Sequence, residues 1–244
     1  MPDLDYKIEY EQECASDDDA LPVIVVAAGN AQRMCGINKV FAPIYNIPVI
    51  VHTLRAFERS KFISRIIVVS KQEDMLDMQK NIEKFSIKKV TDIICGGASR
   101  QESVKNGLLR LGKNDVSVLI HDGARPVVSE NIIENVVLAL KDHKSVACAV
   151  AAKDTIKRVD NEGIVKETLN RSELVCVQTP QGVRIEDYIN ALQYINLTDF
   201  TDDTSIMESI GIKSKIVPGD YHNIKITTPE DLVIAQYFLK EDEY

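Results

Sequence analysis

No stretch of the 244 residues approaches the ~20 consecutive apolar side chains that a membrane-spanning helix needs. The N-terminus is acidic where a secretory signal would be basic and then apolar. Both absences point to a cytoplasmic protein with no membrane partner. Cysteine is scarce: Cys14, Cys35, Cys95, Cys148 and Cys176 are odd in number, form no C-x-x-C pair and lie near no histidine pair at zinc spacing. A disulfide framework and a structural metal are therefore not expected, and the thiols should be reduced and mostly buried. A basic surplus is also missing. Residues 1–21 hold eight acids against one lysine, so nearly all of the formal charge of −8 sits there and the rest is close to neutral. Such a body has no electrostatic case for binding nucleic acid. The acidic extension has few apolar groups to offset the entropy of ordering and is expected to be disordered.

What is present is ordinary for a globular protein: 45% hydrophobic and 27% charged residues, with enough chain to bury a substantial core. Residues 22–244 are expected to form a single domain. Apolar runs at 23–29, 65–70, 90–97, 116–126 and 145–152 alternate with helical patterns at 47–59, 72–85, 100–111 and 129–142. Strands apolar on both faces, separated by helices of this length, predict a doubly wound, mostly parallel α/β sheet covered on both sides. After residue 152 the pattern turns polar and alternating around Asp160-Asn161-Glu162-Gly163. This predicts a β-hairpin arm at about 153–172 with little apolar surface of its own, suited to a homodimer contact. Helices near 184–195, 202–210 and 229–240 and strands near 213–217 and 223–227 complete the reading.

In open α/β sheets ligands lie beyond the carboxyl ends of the strands, so the first such loop, "AAGNAQRMCGINK", is the first candidate. It fits neither G-x-x-x-x-G-K-[ST] nor G-x-G-x-x-G. Ala27, Ala28 and Gly29 nevertheless let backbone amides approach an anion, and Arg33 and Lys39 follow closely enough to grip a polyphosphate. Taken alone, two solvated surface cations beside a tight turn explain the same residues.

Seven blocks in order separate these readings: "AAGNAQRM" with Lys39, "GGASRQESVKNG", "HDGARP", "DTIKR", "LNRSELVCVQTPQ", "TDD" and "NIKIT". The set resembles the 2-C-methyl-D-erythritol 4-phosphate cytidylyltransferase family over residues 22–240. The resemblance implies a Rossmann-like nucleotidyltransferase fold. It also implies a reaction in which the acceptor's phosphate attacks the α-phosphorus of CTP and releases pyrophosphate. Arg33 and Lys39 would stabilise the charge that grows there. Arg171 and Lys225 would orient the attacking oxygen. The implied nucleotide site comprises Ala27, Ala28, Gly29, Arg33, Lys39, Gly97, Ala98, Ser103, Asp122 and Ala124, with Asp122 as a ligand of Mg²⁺. The acceptor phosphate would meet Arg125, Thr155, Arg171, Thr179, Thr201 and Lys225, some of them from a dimer mate. His121 reads as a packed structural histidine. The chain departs from the usual family pattern at Ala31, Gln32, Asn38 and His222. A sister cytidylyltransferase acting on ribitol 5-phosphate shares "IPVIVHT" and "NIKITTP", and a nucleotide-binding module without turnover is a further alternative.

Overall fold

The computed structural model describes residues 20–29, 38–194 and 200–241. The acidic extension up to residue 19 and the stretch from 30 to 37, Arg33 included, lie outside the described residues. The chain opens with β1 (Leu21–Val26), a small hairpin of β2 (Pro43–Ile44) and β3 (Ile47–Pro48), and α1 (Val49–Arg59). It continues through β4 (Ile63–Ser70), α2 (Met75–Lys84), β5 (Val90–Cys95), α3 (Arg100–Leu108), β6 (Ser117–Asp122) and α4 (Glu130–Ala139). Then follow β7 (Ser145–Ala151), the short strands β8 (Lys157–Val159) and β9 (Val165–Thr168), and β10 (Val175–Arg184). The chain closes with α5 (Ile185–Tyr194), α6 (Asp203–Ser209), β11 (Lys215–Pro218) and α7 (Pro229–Glu241).

Seven strands form one sheet in the order β11-β7-β10-β6-β1-β4-β5. β1 lies between β4 and β6 and is parallel to both, and β5 extends the parallel set beyond β4. β10 alone runs antiparallel to its neighbours, β6 and β7. The doubly wound, mostly parallel architecture expected from the apolar runs is the one observed. Residue alternation explains it: Val23, Val25, Ile66 and Val68 enter the core cluster shared with α1, α2, α4 and α7. Their neighbours Ile24, Ile67 and Val69 enter the opposite cluster, shared with α3, α5 and α6. A strand buried on both faces can be apolar at every position, and these are.

Two expectations fail. Residues 223–227 form no strand, because the only long-range backbone hydrogen bond described there runs from the Ile226 N–H to the Ala124 carbonyl (2.8 Å), one rung rather than a ladder. Nor are the thiols mostly buried. Among the described cysteines only Cys148 is buried, with its thiol pushed up to about 12 by burial. Cys95 ends the edge strand β5, and Cys176 sits on the outer part of β10, where residues 175–177 are all exposed.

Between β7 and β10 the chain leaves the main sheet. β8 and β9 pair only with each other, every residue of both is exposed, and Gly163 (φ 82°) supplies the left-handed conformation their turn needs. The Asp160 carboxylate accepts the N–H groups of Glu162 and Ile164 and closes this turn.

Candidate active site

A cleft of about 510 Å³ lies beyond the carboxyl ends of β1, β4, β5 and β6. Ala27, Ala28, Gly29, Lys39, Gly97, Ala98, Ser103, Asp122, Ala124 and Lys225 all line it, although they are spread over nearly 200 residues of chain. The parallel strands bring their loops to one edge, which is why the site gathers there.

Close backbone approach shapes the floor. A Cβ on Gly96 would lie 2.4 Å from the Ala28 Cβ and 2.9 Å from the Ser103 hydroxyl, so only glycine lets the loop after β5 rest against the loop after β1. The Ser99 hydroxyl caps α3 by accepting the Glu102 N–H (3.0 Å), and the Glu102 carboxylate accepts the Ala98 N–H (2.7 Å). The Ser103 hydroxyl accepts the Gly97 N–H (3.1 Å) and donates to the Ser99 carbonyl (2.9 Å). The amides of Gly97 and Ala98 are thus engaged within the loop.

Asp122 closes β6 at the other side of the cleft and is only 7% exposed. Lys225 Nζ lies 2.8 Å from its carboxylate, with Arg100 Nε at 3.5 Å and Arg125 Nε at 3.6 Å. Burial pushes the Asp122 pKa up, but the charges of Arg100, Lys225 and Arg125 outweigh it and hold the carboxyl well below the usual range. Its backbone N–H donates to the buried Thr179 hydroxyl (3.1 Å), which also hydrogen-bonds His121 Nδ1 (3.1 Å). His121 Nε2 meets the Arg125 carbonyl (3.2 Å), and the ring packs edge-on against Phe57. Burial pushes this histidine down to about 3, so it is a neutral packing residue at physiological pH.

The same cleft rim carries Arg100, which the sequence reading had not assigned a role although it stands inside "GGASRQESVKNG". Its Nη2 donates to Asp203 (2.7 Å), a fully buried carboxylate that also accepts the Tyr188 hydroxyl (2.7 Å). Lys71, Gln72 and Glu73, after β4, also line the cleft and were not anticipated.

The family model described as IspD, 2-C-methyl-D-erythritol 4-phosphate cytidylyltransferase, matches residues 21–241. The chain belongs to this family. A family member from Bacillus cereus is 44% identical over 221 residues, covering 89% of this chain and 96% of the relative. One from Clostridium beijerinckii is 44% identical over 222 residues, covering 89% and 97%. Among solved structures, the 4-diphosphocytidyl-2C-methyl-D-erythritol synthase of Anaerococcus prevotii superposes with a TM-score of 0.79 at 31% identity, covering 91% of this chain and 98% of that one. The Francisella tularensis 2-C-methyl-D-erythritol 4-phosphate cytidylyltransferase gives 0.74 at 30% identity, covering 90% and 99%.

The cytidylyltransferase family motifs divide into two sets in this structure. The residues expected to bind the nucleotide line the cleft, apart from Arg33, which lies outside the described residues. Those expected to bind the acceptor do not all meet there. Lys225 lines the cleft, but Thr179 is buried behind Asp122, and the Arg125 guanidinium is occupied with the Asn223 carbonyl (2.7 Å). Thr155, Arg171 and Thr201 are exposed and line no part of the cleft. Arg171 donates to the Lys153 carbonyl (2.6 Å) at the base of the hairpin.

Proposed function

We propose that the chain transfers the cytidylyl group of CTP to the phosphate of 2-C-methyl-D-erythritol 4-phosphate, a step of the non-mevalonate route to isoprenoids. The carrying observation is the meeting of Lys39, Asp122, Lys225 and the Gly96–Ser103 loop in one cleft of a chain that matches the family from end to end of its fold. An acceptor phosphate oxygen bonds to the α-phosphorus while the bond to the bridging oxygen breaks, and pyrophosphate leaves with that electron pair. A phosphate monoester is already anionic at neutral pH, so no general base is needed. This agrees with a neutral, enclosed His121. Lys39, joined by Arg33, stabilises the charge that builds on the phosphoryl oxygens, and Lys225 holds the acceptor phosphate against the cleft. Donors of this kind contribute roughly 3 to 4 kcal/mol each in other enzymes.

Magnesium fits the donor set. No cluster of three metal-ligating side chains occurs among the described residues. A cation here would be shared between the Asp122 carboxylate and nucleotide phosphates, which is how Mg²⁺ is commonly bound. When bound, it neutralises triphosphate charge.

The working unit is a homodimer in this reading. Thr155 and Arg171 sit on the exposed segment between β7 and β10, where Val159, Ile164 and Val165 are exposed too, as are Val175 and Val177 at the start of β10. Apposing two copies covers these side chains and brings acceptor-binding groups to the neighbour's cleft. A pyrophosphate-release assay over the four nucleoside triphosphates and a panel of polyol phosphates tests the proposal. CTP with methylerythritol phosphate should be the preferred pair. Preference for ribitol 5-phosphate, or CTP binding without pyrophosphate release from any acceptor, overturns it.

A further inference from the structure

A buried charge network beneath the cleft has no part in the reaction as described so far. Asp203, at the start of α6, has no solvent exposure, yet its carboxylate lies 2.7 Å from the Arg100 guanidinium. Its placement is over-determined: the Tyr188 hydroxyl from α5 donates to its carboxylate, and the side-chain carbonyl of Gln181 on β10 accepts the N–H groups of Asp203 (2.9 Å) and Thr204 (3.1 Å). Arg100 is therefore gripped on its Nη2 edge by an immobile anion, while its Nε edge reaches Asp122 only at 3.5 Å. Its Nη1 is enclosed without a hydrogen-bond partner among the described residues. A fold that needed only to neutralise Asp122 would let this guanidinium close on it bidentately, the preferred arrangement for arginine and carboxylate.

We propose that Asp203 is a positioning residue that holds Arg100 back from Asp122, so that the Asp122 carboxylate stays available to the nucleotide half of the site. This rests on the cytidylyltransferase reading for the identity of the ligand, but not for the geometry. If Asp203 loses its charge, the nearest remaining carboxylate for Arg100 is Asp122. Arg100 would turn onto it, and the nucleotide would compete with a bidentate ion pair. The acceptor side, which draws on Lys225 and the hairpin segment, meets this network only at Asp122, where Lys225 holds Oδ2 (2.8 Å) and Arg100 approaches Oδ1.

The test compares Asp203→Asn and Tyr188→Phe with the parent chain, using crystal structures and the KM values for CTP and for the acceptor. Asp203→Asn should show Arg100 in bidentate contact with Asp122 and a KM for CTP raised at least tenfold, with the KM for the acceptor, felt only through Lys225, raised by a clearly smaller factor. Tyr188→Phe removes one hydrogen bond but leaves the charge, keeps the packing, and should give a smaller shift of the same kind. It also stands in should the Asn variant fail to fold. Arg100 unmoved in the folded variant overturns the proposal, and so do KM values that rise by equal factors. A parent chain that does not use CTP would instead remove the functional reading, while the position of Arg100 in the variants would still decide the role of Asp203.

Discussion

A single side chain, Asp122, organises the site because three cations converge on it, and each answers to a different part of the chain. Lys225 faces the cleft, Arg125 is turned toward Asn223, and Arg100 is tied to Asp203. If Arg33 and Lys39 stabilise the transition state as proposed, their loss should cost far more rate than stability, since solvated charges contribute little to folding. Arg33→Ala and Lys39→Ala are each expected to lower kcat at least 100-fold with a melting temperature within a few degrees of the parent, as steady-state kinetics and thermal denaturation would show. Near-normal turnover in either variant would remove the role assigned to it. His121 sets a different dependence. Its pKa lies near 3 in the folded chain against 6.5 when exposed, so between these values the unfolded state binds the extra proton. Stability should therefore be intact above pH 6.5 and fall as the pH drops toward 3, by up to about 5 kcal/mol in total. Asp122, with its depressed pKa, adds a loss only below the ordinary carboxylate range. Denaturant titrations from pH 7 to 4 should show this slope, and His121→Gln should flatten it.

At the scale of elements, the loop between β5 and α3 is held by side chains belonging to the helix it precedes. Glu102 and Ser103 accept the Ala98 and Gly97 N–H groups, and the missing Cβ of Gly96 lets the loop lie on Ala28. Gly96→Ala would force the two loops apart. We expect a KM for CTP raised at least tenfold with kcat less affected, and unchanged KM and kcat would show that this contact does not shape the nucleotide site. The glycine pair was visible in the sequence, but its contact with Ala28, some 70 residues away, was not. The central strands were equally visible, because Val23–Val25 and Ile66–Val69 are apolar on both faces and only a covered parallel sheet accommodates that. The stretch 223–227 misled for the converse reason: "NIKIT" alternates like a strand, yet it joins no strand of the sheet.

At the scale of the molecule, the cleft of one chain collects Lys39, the Gly96–Ser103 segment, Asp122 and Lys225 and leaves Thr155 and Arg171 outside. If a second copy completes the site, Arg171→Ala should raise the KM for the acceptor at least tenfold and leave the affinity for CTP within twofold, and sedimentation should show a dimer. Equal losses for both substrates, or full activity in a monomer, would contradict this division of labour.

The linear order of residues was enough to announce the parallel sheet, the family and most of the nucleotide site, since strand apolarity and loop motifs are local properties written within a dozen residues. It could not announce that β10 would run against its neighbours, that Arg125 and Thr179 would be enclosed, or that Arg100 would be pinned from beneath. Those outcomes depend on contacts between residues far apart in the chain: β10 pairs with β6 and β7, Arg125 meets Asn223, Thr179 meets Asp122 and His121, and Arg100 meets Asp203, which only the packed fold brings together and shields from water.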